Sequence, residues 1–207
     1  MNNEIEFSEK FMVKYIKSIF NLRPVTPIRS YIAWVIDSEY RTTERLDLFL
    51  KQQLINPAEE LNQLADEFSK IKDYDKRIIS ILEFVVYNFN YETDINNHNK
   101  VEFWEVAKTV LDMKSADCEG LNGLIFIIAR LSGIPSWLIW SCIGSVNVNQ
   151  GHYWLLYYST TQNKLVSIDA TYYPDLKIMK KRKEFQTDLN YTTIWYMFND
   201  TTIFKYS

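Results

Sequence analysis

The chain carries two cysteines and two histidines, and one of each falls in a pattern suited to acyl transfer. Cys118 stands in Ser115-Ala116-Asp117-Cys118-Glu119-Gly120. His152 follows it by 34 residues in Gly151-His152-Tyr153-Trp154, and Asp169 follows His152 by 17 in Ile168-Asp169-Ala170-Thr171. A thiol attacks a carbonyl as thiolate, an imidazole takes the proton and returns it, and a carboxylate holds the ring in the required tautomer. Alone, Cys118 reads as a small buried hydrophobe beside an apolar run. The ordered histidine and aspartate reverse that reading.

Two kinds of element must position these groups. Asp117 is a helix N-cap, because its carboxylate can accept from the free N–H groups of a first turn. Leu121 to Leu131 is almost unbroken apolar sequence, as suits a central helix buried nearly all round, and Gly133 and Pro135 stop it. Cys118 then sits at the first turn, where partial positive charge favours thiolate. Tyr153 to Tyr158 and Lys164 to Ala170 read as strands joined by a loop over 159–162. Pairing Tyr158 with Asn163 places His152 directly opposite Asp169 on one face.

At Asp117-Cys118-Glu119, Gly151-His152-x-Trp154 and Asp169-Ala170-Thr171 the sequence resembles the transglutaminase-like superfamily of papain-related thiol enzymes. The likeness spans roughly residues 75 to 175, and Phe103-Trp104 and Thr109-Val110-Leu111 fit the helix that precedes the cysteine in many members. Ala116 departs from it, since glycine is usual there. The resemblance implies an α+β fold: a papain/transglutaminase-like core, with a central helix packed on an antiparallel β-sheet, plus extra N-terminal helices. Residues 1–72 are expected to form that helical extension and 73–207 the catalytic core of a small microbial or phage-type member. It implies Cys118, His152 and Asp169 as catalytic residues. The Cys118 backbone N–H is a natural oxyanion donor, with Trp104 Nε1 or the Asn90 side chain as candidates for a second. The thioester would be resolved by water, as in a cysteine protease or amidase, or by an amine, as in a cross-linking transglutaminase. Hydrolysis is the expectation, because the multidomain architecture of animal cross-linking enzymes has no room here. The competing class is a non-enzymatic transglutaminase-like fold serving as a binding or structural component of an assembly, of a phage-related kind.

The rest of the chain reads as helices, then strands. Ser8 caps a helix over 8–20, Pro24 and Pro27 break the pattern, and 30–37 is apolar. Helices follow from about Thr43 to Ile55 and after an Asn56-Pro57 start; Asp75 opens the next. Asp94 to Lys100 reads as a loop with His98 solvated, and Glu102 to Met113 as a helix presenting Trp104. Trp137 to Val146 is a strand with Cys142 packed in it. Lys177, Lys180, Lys181, Arg182 and Lys183 form a solvated basic face. Thr192 to Phe198 and Thr202 to Tyr206 close the sheet.

A net charge of −3 points away from nucleic acid and anionic membranes, and no apolar run is long enough to span a bilayer. With 47 % apolar and 24 % charged residues the chain is of ordinary globular composition. No signal peptide opens it, and two cysteines make no disulfide framework, so a cytoplasmic setting is expected. No metal-ligand spacing and no cofactor motif is found. The expected partner is a protein or peptide substrate, with a second partner or assembly face open to the N-terminal helices.

Overall fold

The computed structural model describes residues 2–20, 22–24, 46–147, 150–172 and 179–206. The apolar segment 30–37, Pro27, the start of the helix placed at Thr43, and Lys177 lie outside them. Helix α7 (Cys118–Leu131) is the centre. Leu124 through Ala129 are fully buried on every side of it. Each such large side chain stabilises the fold by about 1.5–3 kcal/mol relative to exposure.

Beside α7 lie α2 (Leu46–Ile55), α3 (Glu59–Ser69), α4 (Tyr74–Asn88) and α6 (Ala107–Met113). A six-stranded antiparallel sheet backs them, in the order β1-β8-β7-β4-β5-β6. Its strands are β1 (Leu22–Pro24), β4 (Ile139–Val146), β5 (Gln150–Ser159), β6 (Lys164–Ile168), β7 (Tyr191–Phe198) and β8 (Ile203–Tyr206). The expected α+β architecture is therefore present. Along β5, Tyr153, Leu155 and Tyr157 join the core around α7, while Trp154 and Leu156 point to the opposite face. There helix α1 (Asn2–Phe20) covers the sheet with Met12 and Ile16. Strands buried on both faces read as continuous apolar runs. Among the described residues no helix is long and apolar enough to cross a membrane.

Several boundaries differ from the sequence reading, each for a local reason. Helix α1 begins before Ser8, at Asn2. Helix α3 starts at Glu59, with Ala58 rather than Asn56 at its N-cap. Helix α4 is capped by Asp73, whose carboxylate accepts from Lys76 N. That frees Asp75 for a buried role, accepting from Tyr157 Oη at 2.9 Å, Ser159 Oγ at 2.6 Å and the Thr161 hydroxyl. Asp94 to His98 forms a short helix, α5. Residues 102–106 are not helical, so α6 is shorter than expected. In the basic cluster Arg182 is buried and donates to Ser167 O, whereas Lys180, Lys181 and Lys183 are exposed.

The pull of Asp75 on Ser159 also resets the β5–β6 hairpin. Ser159 is fully buried and pairs with Lys164, which moves the four-residue loop to 160–163. Asn163 takes the left-handed conformation there, at φ 51°. The register is two residues out from the expected Tyr158–Asn163 pair. Because side chains alternate with a period of two, that shift preserves the face: His152 and Asp169 stay on one side, diagonal rather than opposite.

Two glycines are required by close approach. Gly144 lies across from His152, where the β4–β7 register breaks. A Cβ there would stand 1.9 Å from the Thr193 carbonyl oxygen and 2.8 Å from the Trp154 ring. At Gly120 it would stand 2.4 Å from the Ala116 methyl, so the alanine in place of the usual glycine is accommodated by glycine one turn into α7. Gly144→Ala should destabilise the protein by about 3 kcal/mol, the upper end of overpacking, because the clash is with backbone. A urea midpoint unchanged from wild type would show that β7 yields freely.

Candidate active site

Asp117 caps α7, its carboxylate accepting from Glu119 N at 3.2 Å, and so presents Cys118 at the first turn. Strand β5 presents His152, and Asp169 lies one residue past the end of β6. His152 Nε2 and Asp169 Oδ2 are 2.7 Å apart and both side chains are buried. The imidazole is stacked on Trp154 at 13° between planes and touched from another side by Tyr172. With Nε2 engaged by Asp169, Nδ1 is the ring nitrogen left for a reacting group. Cys118 and His152 line one cleft of about 420 Å³, together with Trp104, Glu102, Glu119 and Trp195.

The two oxyanion candidates part company. Trp104 lines the cleft, but its Nε1 donates to Glu102 Oε1 at 2.9 Å. Asn90 sits on a two-residue strand, β2 (Asn90–Tyr91), that pairs in parallel with β3 (Ser115–Ala116). Its side chain is exposed and it is not among the residues lining the cleft; Tyr91 takes that place. Side chains alternate along a strand, so Tyr91, itself exposed, borders the cleft where Asn90 faces away.

The aspartate is the best-supported group of the site. Asp169 Oδ1 accepts from Asn122 Nδ2, Thr171 N, Thr171 Oγ1 and Tyr172 N, and Oδ2 from His152 and Tyr191 Oη. Burial pushes its carboxyl up, but the His152 bond and charge and the bonds from Thr171 and Asn122 outweigh it and hold the carboxyl below the usual value. Asn122 and Tyr191 escaped the sequence reading. The one available signal was a lone asparagine in the apolar run of α7.

The surroundings of Cys118 reverse the expected thiolate preference. Burial, then the charges of Glu119 and Asp117, push the thiol well above its ordinary value. Its Sγ donates to Glu119 Oε2 at 3.0 Å, which also favours the protonated form. Burial pushes Asp117 up to about 7, with the charges of Asp94, Glu105 and Glu102 adding to the shift. Burial and Asp117 push Glu119 well above the usual range. Asp94 is raised to about 6, chiefly by burial. His98, expected in solvent, packs its ring at a tilt against Phe103 and bonds Glu105 at 2.7 Å within this acidic group.

Oxygens of Asp94, Glu102 and Glu119 lie within 4.8 Å of one another, as do ligand atoms of Asp117, Cys118 and Glu119. Asp94 Oδ1 is buried without a hydrogen-bond partner among the described residues. Such an oxygen-rich donor set with an orphaned carboxylate oxygen fits a hard divalent cation.

Comparison with known proteins agrees with the fold. A family model, the transglutaminase-like superfamily, matches residues 62–170. No curated protein matches the sequence. Among solved structures, Legionella pneumophila LapG, EGTA-treated, is similar at 18 % identity, with a TM-score of 0.52 over 78 % of this chain and 86 % of that one. Calcium-bound LapG from the same organism gives 18 % identity and a TM-score of 0.51, over 78 % and 88 %.

Two outcomes follow from the charges. Glu119→Gln removes both the carboxylate charge that Glu119 can place beside the thiol and the acceptor that holds its proton, so the Cys118 pKa should fall and alkylation by iodoacetamide at pH 7.5 should quicken. Each unit lowered gives tenfold more thiolate of weaker nucleophilicity, a net gain of roughly threefold. An unchanged rate–pH profile would exclude Glu119 as the cause of the shift. The raised carboxyls of Asp94 and Asp117 bind protons in the folded state that the unfolded chain releases. Their contribution to stability is present below about pH 4 and lost as pH rises through 6 and 7. Thermal melts from pH 5 to 8 should therefore show a steeper decline for wild type than for Asp94→Asn.

Proposed function

Because the chain belongs to the transglutaminase-like superfamily, we propose that its cleft is the active site of a thiol-dependent acyl-transfer enzyme that hydrolyses amide bonds of a protein or peptide. The observation that carries this reading is the buried His152–Asp169 pair at 2.7 Å, whose histidine lines one cleft with a cysteine at a helix N-terminus. Cys118 Sγ attacks the amide carbonyl as its proton passes to His152. The Cys118 N–H, at the head of α7, is the oxyanion donor. The histidine protonates the leaving amine, and the C–N bond breaks to leave a thioester on Cys118. Water, deprotonated by His152, then cleaves the thioester and restores the thiol. Asp169 stays ionised throughout and holds the ring.

A divalent cation is proposed beside the cleft, on Asp94, Glu102 and Glu119. Support comes from the orphaned Asp94 Oδ1 and from the likeness of the fold to that of calcium-bound LapG. A cation there supplies positive charge that offsets Asp117 and Glu119 and so favours the Cys118 thiolate.

A peptide-based acyl probe directed at thiols tests both parts. Labelling should be lost in Cys118→Ala, and probe turnover should fall on the order of 10- to 1000-fold in Asp169→Asn. That is less than the roughly 10⁴-fold loss in serine enzymes, since a thiol gives up its proton more readily than a hydroxyl and leans less on the third group. Calcium should raise the labelling rate and EGTA lower it. Equal labelling of wild type and Asp169→Asn, both folded, would remove the aspartate from the mechanism; equal rates in calcium and EGTA would remove the cation.

A further inference from the structure

Asn122 is fully buried inside the apolar helix α7. A polar side chain in such a place costs stability unless its bonds are met. Its Nδ2 donates to Tyr153 O at 2.9 Å and to Asp169 Oδ1 at 3.2 Å, and its Oδ1 accepts from Ala170 N at 2.8 Å. The orientation of the amide is fixed by these partners, because a flip would set oxygen against two acceptors and NH₂ against a donor. Asn122 follows Cys118 by four residues, so the two share a helix face one turn apart. Tyr153 adjoins His152 in β5, and Ala170 adjoins Asp169. One side chain thus links the helix of the cysteine to the strand of the histidine and to the aspartate itself.

The other donors to Asp169 do not do this. Thr171 and Tyr172 bond it from its own turn, and Tyr191 reaches it from β7. We propose that Asn122 is a positioning residue, setting the nucleophile helix at working distance from the His152–Asp169 pair. The inference rests on the catalytic reading given above. Leucine would fill the same space and suit the helix better. Asparagine there ties two halves of the cleft together through three bonds that only an amide can make at once.

The test is the rate of Cys118 alkylation by iodoacetamide against pH, read on the Cys118 peptide by mass spectrometry, with melting temperature measured alongside. The variants of the full chain are Asn122→Leu, Asn122→Asp, His152→Ala and Asn199→Ala. Asn199 is a buried asparagine that holds the β7–β8 turn through Ser136, Thr201 and Thr202, remote from the cleft in its bonding. Its loss is expected to lower stability without touching the site. Asn122→Leu should slow alkylation by about 10- to 100-fold at the wild-type optimum, the scale expected when a reacting group is misplaced by about 1 Å. Asn122→Asp sets a carboxylate against Asp169. It should track wild type at the acid end, where a shared proton restores a donor, and fall away in an added titration step as that proton leaves. Asn199→Ala should melt lower and keep the wild-type profile.

A His152→Ala profile superimposable on wild type removes the catalytic reading, and this inference with it. A changed His152→Ala profile, with both Asn122 variants folded and superimposable on wild type, overturns the role of Asn122 alone. If neither Asn122 variant folds, amide exchange in the wild-type protein decides. The Ala170 N–H should exchange no faster than the amides of α7. Exchange at the rate of the exposed hairpin loop 160–163 overturns the strut.

Discussion

A fully buried carboxylate is the constraint around which this molecule is arranged. Asp169 has no exposed surface, and a buried charge must be met by donors or give up its charge. Its donors come from α7 through Asn122, from β5 through His152, from β7 through Tyr191, and from its own turn. Displacing any of these elements leaves an unmet charge in the interior, so the carboxylate fixes their relative positions as firmly as apolar packing does. That is why a loop residue just past a short strand can act with the precision of a residue inside the sheet.

Apolar packing supplies the frame on which those bonds are made. Helix α7 is surrounded because helices lie on its flanks and a sheet buried on both faces lies behind it. The second face of the sheet, filled by Trp140, Trp154 and Phe204 under α1, keeps β4 and β5 from bending away. Trp154 links this layer to the chemistry: its ring lies parallel to His152 on one side and against Tyr191 on another. A substitution on the α1 side can therefore reach the imidazole through one indole.

Much of this was legible in the sequence. The N-cap at Asp117, the all-round apolar helix and its glycine stop are local signals, and each stands where periodicity placed it. The β5–β6 hairpin was legible in its face but not in its register. No local rule says that Asp75, more than eighty residues earlier, draws Ser159 into the strand. The same holds for Asn90 and Tyr91: composition cannot say which of two neighbours a two-residue parallel strand turns inward. His98 was misread for a related reason. A histidine in an asparagine-rich stretch looks solvated until Glu105 and Phe103 are brought to it from across the turn.

The acidic group beside Cys118 was the least legible feature and bears most on how the site works. Helix N-termini favour thiolate, and that argument alone predicts a reactive cysteine. The helix field, however, acts as about half a charge, whereas Asp117 and Glu119 can each place a full negative charge next to the sulfur. Burial raises Asp94 and Asp117 to about 6 and 7, and the neighbouring carboxylates, which resist ionising together, add to the shift. The thiol and these carboxyls therefore compete for the same few protons. Whatever takes negative charge out of this group, whether protons or a bound cation, shifts Cys118 towards thiolate without touching it.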